Sequence, residues 1–245
     1  MDEVTINSSP VFAPMGDSAL MVVAGNNISV EVNEKVHKMI SLIKGQDWPG
    51  IKEIVPTYSS FVIHFDPLIF SFDGLTECVA GLWDCNETSA QIKTKTVLIP
   101  TLYGSDYGLD LESVSKLTNL SVGEVISIHS ETEYLVYALG FSPGFPYLGG
   151  LDPRIHCPRL ETPRISVPKG SVAIADAQTG VYPVSSPGGW RLIGQTPVTM
   201  FDPNRSHPSI VTPGDYIRFV PIDSKAEFEE IFEMSANGGY EVQVQ

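Results

Sequence analysis

Positive charge is scarce in this sequence. Fifteen Lys and Arg stand against twenty-nine Asp and Glu, a formal charge of -14 over 245 residues. So acidic a surface repels nucleic acid and anionic lipid, and any anionic ligand requires a local exception to the field. Cysteine is scarcer still: Cys78, Cys85 and Cys157 make neither an even set nor a CxxC pair. That excludes a disulfide-stapled scaffold and a zinc site, and leaves three reduced thiols. No apolar run approaches the ~18 residues of a membrane span, and the opening MDEVTINSSP carries acids where a secretory signal carries cations, so a cytoplasmic protein is expected. The patterns GxxxxGK[ST], GxGxxG, HExxH and GxSxG are also missing. Nucleotide, if it is used, is not held here by a P-loop.

What the chain does contain is an ordinary globular composition, 42% hydrophobic and 18% charged, with length for two modest domains. Over residues 1–95 the hydrophobic period alternates. ALMVVA (Ala19 to Ala24) reads as a strand, and Val32, Val36, Met39, Ile40 and Ile43 fall on one helical face. IKEIVPTY and SSFVIHF read as two strands, Leu75, Val79 and Leu82 as a second helix, and KTVLIP (Lys95 to Pro100) as a closing strand. The order β-α-β-β-α-β predicts a ferredoxin-like, split βαβ domain. Over residues 96–245 short strands bounded by Gly and Pro (YLVYALGF, SVAIAD, GVYPV, WRLIG, YIRFVP) predict a β-barrel or sandwich, making the whole chain α+β. A helical insert interrupts it: Leu111, Val114 and Leu117 share a face, and Ser121 with Glu124 forms a capping box. The second insert helix carries Glu124 and Glu131 without Lys or Arg, which favours a packed αα-hairpin over a DNA reader. Phe228, Ile231 and Phe232 mark a final packing helix.

Three segments stand out chemically. GFSPGFPYLGGL (Gly140 to Leu151) suits neither helix nor central strand, and Ser142-Pro143-Gly144 has the order of a type II turn with Phe141, Phe145 and Tyr147 around it. At least one ring is expected to serve a cleft or a partner. DPRIHCPRLETPRISVPKG repeats a Pro-cation pair every five residues, placing Arg154, Arg159, Arg164 and Lys169 in one stretch. With Arg191, and against Asp152, Glu161 and Asp176, the region from Gly140 to Gln195 carries +2 within a chain of -14. Such a region attracts a small anion, because guanidinium forks match carboxylate and phosphate. The bland alternative is a rigid loop whose Arg heads pair with acids elsewhere. QTGVYPVSSPGGWRLIGQTP brings Gln178, Tyr182, Ser185, Ser186 and Trp190 together, polar groups beside aromatic walls as in small-ligand pockets. His129, placed just after the second insert helix, is the one histidine near these loops with an acid-base role open to it, against the commoner identity of a helix-capping or hydrogen-bond-satisfied histidine. His156 and Cys157 are adjacent, so in extended chain their side chains point apart and make no nucleophile pair.

GFSPGFPYLGGL, the spaced PR pairs, VPKGSVAIADAQTGVYPVSSPGGWRLIGQTP and TPGDYIRFVPI together resemble the KipI family, also known as allophanate hydrolase subunit 1 and as the B subunit of 5-oxoprolinase. The resemblance runs from IPTLYG to VPI, about half the chain, and more weakly through the first domain. It implies a cyclophilin-like β-barrel behind the ferredoxin-like domain. It further implies a complex with KipA-like C-type and separate A-type subunits, opening 5-oxoproline to glutamate with ATP, the ATP site lying outside this chain alone. On that reading Arg159, Arg164, Lys169 and Arg191 supply charge to the substrate carboxylate. Gln178 and Ser186 meet the lactam, and Tyr182 and Trp190 wall the pocket. Asp176-Ala177 stands where Gly-Gly is expected before QTG, and Gln195 where Arg is expected. The alternatives are a KipI-like inhibitor, whose exposed aromatic loop grips a sensor histidine kinase, and a carboxyltransferase-like half-domain, for which no biotin-attachment AMKM segment is present.

Overall fold

The computed structural model describes residues 6–84 and 95–245. Cys85 and the first half of the acidic amino-terminal stretch, Met1 to Thr5, lie outside the described residues. The chain divides into two compact units, Met1–Lys93 and Thr94–Gln245. No helix among the described residues is long and apolar enough to cross a membrane.

The first unit contains β1 (Ile6–Pro14), β2 (Ala19–Gly25), α1 (Val30–Gly45), β3 (Ile51–Pro56), β4 (Ser60–Phe65) and α2 (Phe72–Leu82). Ser29 caps α1 by accepting the Val32 N–H, and the apolar stripe read from sequence, Val32 to Ile43, is buried. It packs with Leu20, Val22, Phe61 and Ile63 of the sheet into one core. The sheet order is β1-β2-β4-β3, antiparallel throughout. The closing strand expected at Lys95–Pro100 is not in this sheet, which corrects the sequence reading. The place beside β2 is taken by β1, whose INSSPVFAP sequence shows no clean alternation and whose Pro10 is tolerated because the strand lies at the edge.

The second unit adds β5 (Thr96–Tyr103), α3 (Leu111–Thr118), α4 (Val122–Glu131), β6 (Glu133–Leu139), β7 (Pro146–Gly149), β8 (Arg164–Val167), β9 (Ser171–Ala175), β10 (Gln178–Val181), β11 (Ser186–Gly188), β12 (Arg191–Gln195), β13 (Tyr216–Pro221) and α5 (Lys225–Ala236). Seven strands close a barrel in the order β10-β7-β6-β13-β5-β12-β9, and β8 with β11 forms a separate two-stranded ribbon. The segment expected to close the first domain is β5, held in parallel register against β13, with Thr96 facing Tyr216. The insert helices form as read, with the reciprocal Ser121–Glu124 capping box starting α4. Their Leu111, Val114, Val125 and Ile128 join the core with Val172, Ile174 and Val181.

Strand alternation then builds the site. Val172 and Ile174 of β9 face that inner core, so Ala173 and Ala175 face outward, and there Leu192, Phe145, Tyr182, Trp190 and Val167 pack a second cluster. Small alanines at these positions leave room for large rings. Burying each such ring contributes about 1.5–3 kcal/mol.

Candidate functional site

Within the Gly140–Leu151 segment, residues 140–145 join β6 to β7 as a tight turn: the Phe145 N–H donates to the Ser142 carbonyl, 3.0 Å, with Gly144 at φ 81°. A Cβ on Gly144 would stand 2.5 Å from Cβ of Phe201, so glycine is required by both conformation and space. The three rings have different fates. Phe145 is only 2% exposed and belongs to the outer core, contrary to its reading as an exposed anchor. Tyr147 is half-buried against it, the centroids 5.1 Å apart. Phe141 is 63% exposed and held at φ 63°, a left-handed conformation unusual for a bulky residue.

Tyr182 and Trp190 meet Phe145 edge-on, at centroid distances of 5.3 and 5.7 Å. Beside them β11 pairs with β8, and Gly188 lies so close that a Cβ there would come within 2.4 Å of the Tyr182 hydroxyl. Between these groups opens a cleft of about 150 Å³. Aromatic rings wall it, the Pro187–Gly189 segment forms one side, and Arg159 is the charged residue of its lining. Burial raises the Tyr182 hydroxyl pKa; the Trp190 backbone N–H and the nearby Arg159 and Arg164 pull it the other way.

The other cations of the Pro-Arg series are engaged elsewhere. Arg154 bridges Asp152 at 2.8 Å, and its hydrogen bonds hold that carboxyl down at about 2. Arg164 pairs with Asp110 at 2.8 Å in a largely buried contact, with its second terminal nitrogen enclosed and unpartnered among the described residues. Lys169 reaches Thr199 Oγ1 at 3.4 Å, and Arg191 donates to the Pro158 carbonyl and to Ser113 Oγ. Arg159 meets Asp176 at 3.4 Å with both side chains more than half exposed. The bland reading, Arg heads paired with acids, thus describes Arg154, Arg164 and Arg159 alike, though Arg159 alone of the series also lines the cleft. Ser186 stands next to the lining residue Pro187, its hydroxyl buried and without a hydrogen-bond partner among the described residues. Gln178 shares the outer face of β10 with Gly180, on which Phe145 packs, yet it lies outside the lining. Gln195 spends its amide on the Lys169 carbonyl.

For His129 the structure corrects the cleft and acid-base placement and shows the satisfied histidine weighed against it. It lies within the last turn of α4, is fully buried, and stacks on Phe219 at 4.6 Å, away from the cleft. Its Nδ1 meets the Tyr103 hydroxyl at 2.8 Å and its Nε2 meets Thr179 Oγ1 at 2.9 Å. Thr179 commits its one proton to the Ala173 carbonyl, so Nε2–H donates and Nδ1 accepts from Tyr103. Burial alone drives this imidazole down to about 3. Cys157 is equally unsuited to catalysis, its buried thiol pushed up to about 11. The residue that sequence reading missed is Asp110, which ties Arg164 and the Leu192 N–H together. An Asp just before the first residue of α3 is its one local sequence signal, and in the structure its side chain caps nothing, leaving it for Arg164 and Leu192. Among the described residues no group of three or more His, Cys, Asp or Glu could hold a metal.

A small barrel-borne cleft with flat walls and one guanidinium has the shape and charge that suit a compact planar anion. Residues 10–211 match the family of the carboxyltransferase domain, subdomain C and D, and the chain belongs to it. It is 42% identical over 222 residues to the B subunit of the 5-oxoprolinase of Bacillus subtilis, 86% of this chain and 92% of that one. A solved structure of a conserved uncharacterized protein from Pyrococcus horikoshii is 46% identical, covering 89% of this chain and all of that one, with a TM-score of 0.54. The urea amidolyase of K. lactis matches the whole of this chain at a TM-score of 0.83, but at 21% identity and over 17% of its own length, so it shares the fold.

Proposed function

We propose that this chain is the B subunit of an ATP-dependent 5-oxoprolinase that opens 5-oxo-L-proline to L-glutamate, and that the aromatic cleft receives the substrate. The main support is its similarity to the Bacillus subtilis 5-oxoprolinase B subunit over nearly the full length of that protein. The cleft agrees with a small substrate: its ~150 Å³ falls well below the roughly 300–1,000 Å³ of sites for drug-sized ligands. The lactam ring lies against Tyr182 and Trp190, with its carboxylate on Arg159; Gln178 and Ser186, outside the lining, are withdrawn from the substrate contacts expected of them. Opening the ring adds the oxygen of water to the lactam carbonyl carbon as the C–N bond breaks, and the nitrogen leaves as the amine of glutamate. Residues of this chain bind and orient that ring.

The cleft does not fit ATP. One guanidinium and a volume of this size offer no cradle for a triphosphate. We therefore assign ATP to a partner of the A type or of the KipA-like C type. We also read the two units as domains, with a boundary near residue 95: a cyclophilin-like barrel, and a ferredoxin-like sheet permuted so that its amino-terminal strand takes the place of the closing one. The reading predicts that the purified chain releases no glutamate from 5-oxoproline, whereas the chain with its A-type and C-type partners, ATP and magnesium does. ATP-dependent glutamate release by the chain alone would overturn it.

A further inference from the structure

Asp176 is the first of two residues linking β9 to β10, and it sits at φ 53°, a left-handed conformation that glycine adopts without strain. Its backbone is fixed there by a bridge to Cys157, the Asp176 N–H donating to the Cys157 carbonyl at 2.7 Å. The side chain retained at this awkward position places a carboxylate 3.4 Å from Arg159 Nε, the charged group of the cleft lining. Both partners of that pair are more than half exposed, so the contact is open to exchange with solvent and solutes. A chain of -14 has acids to spare, and this one is spent on the cation that the cleft presents.

We infer that Asp176 is an internal stand-in for the ligand carboxylate: it occupies Arg159 in the empty protein, and an incoming anion must displace it. The inference rests on the substrate assignment proposed above and adds an affinity-setting residue to it. An exposed pair of this kind is weak, so the competition is a modest tax on anion binding, about two- to fivefold. It acts on charge and leaves neutral ligands of the same shape unaffected.

The test is calorimetric titration of the purified chain with 5-oxo-L-proline and, separately, with its uncharged carboxamide, at low and at 0.5 M salt. Asp176→Asn is expected to tighten binding of the acid about two- to fivefold at low salt, with a smaller gain at high salt and no gain for the carboxamide. Asp176→Gly should tighten it likewise and melt higher, because it also removes the left-handed strain. Arg159→Ala separates the two ideas. If Arg159→Ala weakens the acid while Asp176→Asn and Asp176→Gly leave it unchanged, or tighten acid and carboxamide alike, the stand-in is wrong and the cleft assignment survives. If the acid does not bind the chain, or binds equally well without Arg159, both fall.

Discussion

His129 carries the sharpest residue-scale consequence of the fold. In the native barrel it is a neutral donor and acceptor between Tyr103 and Thr179, held down at about 3 by burial, whereas in the unfolded chain it titrates near its ordinary value of about 6.5. The folded value is depressed for a base, so this contribution to stability is complete above about pH 6.5 and is lost as pH falls toward 3. Within that window unfolding takes up one extra proton at this site, a slope of about 1.4 kcal/mol per pH unit. His129→Gln, which keeps a donor and an acceptor, should remove one proton from the measured uptake on unfolding near pH 5. Heteronuclear NMR should show an Nε2–H imidazole that does not titrate between pH 8 and 4. A native His129 signal titrating near pH 6.5 would contradict this arrangement.

At the scale of elements, the β8–β11 ribbon is tied to the barrel through Arg164. Its partner Asp110 also accepts the Leu192 N–H of β12 at 2.7 Å. Arg164→Ala leaves that enclosed carboxylate half-satisfied and should cost about 2–3 kcal/mol, with melting falling by roughly 5–10 °C. Arg164→Lys should restore part of it, since a point charge replaces a fork. An Arg164→Ala protein of unchanged stability but weakened ligand affinity would return this residue to the binding site. Gly188→Ala probes the neighbouring contact: its methyl would collide with the Tyr182 hydroxyl and push the ring into the cleft, so ligand affinity should fall more than tenfold while the barrel core stays folded. Titration calorimetry beside thermal melts decides it.

The same elements show what could be read without coordinates. The Ser121–Glu124 capping box, the α1 stripe and the Ser142-Pro143-Gly144 turn are local, set by residues three or four apart, and each was legible. Which sheet a strand joins is not local. Lys95–Pro100 reads as apolar strand in either unit, and only its parallel pairing with residues more than a hundred positions later, Tyr216 to Pro221, puts it in the barrel. Arg164 and Asp110 are likewise 54 residues apart, so a cation with a buried partner and a cation facing a cleft look the same in PRxxxPR spacing. Tyr182 and Trp190 were legible as walls because their Gly and Pro neighbours forced a shaped surface, whereas the burial of Phe145 depended on alanines at 173 and 175.

For the whole molecule, an overall charge of -14 makes the approach of an anionic substrate unfavourable everywhere except at such a local cation. Raised salt should therefore weaken Arg159-dependent binding less than Coulomb attraction alone predicts, because the repulsive field of the remaining surface is screened as well. The central claim, that this chain holds 5-oxoproline in the aromatic cleft through Arg159, is tested most directly by steady-state kinetics of the complex reconstituted with its A-type and C-type partners. Arg159→Ala in this chain should raise KM for 5-oxo-L-proline about ten- to a hundredfold, the ~1.5–3 kcal/mol of a charge-assisted hydrogen bond, without lowering the melting temperature of the chain. A complex carrying Arg159→Ala with unchanged KM and kcat would contradict the account.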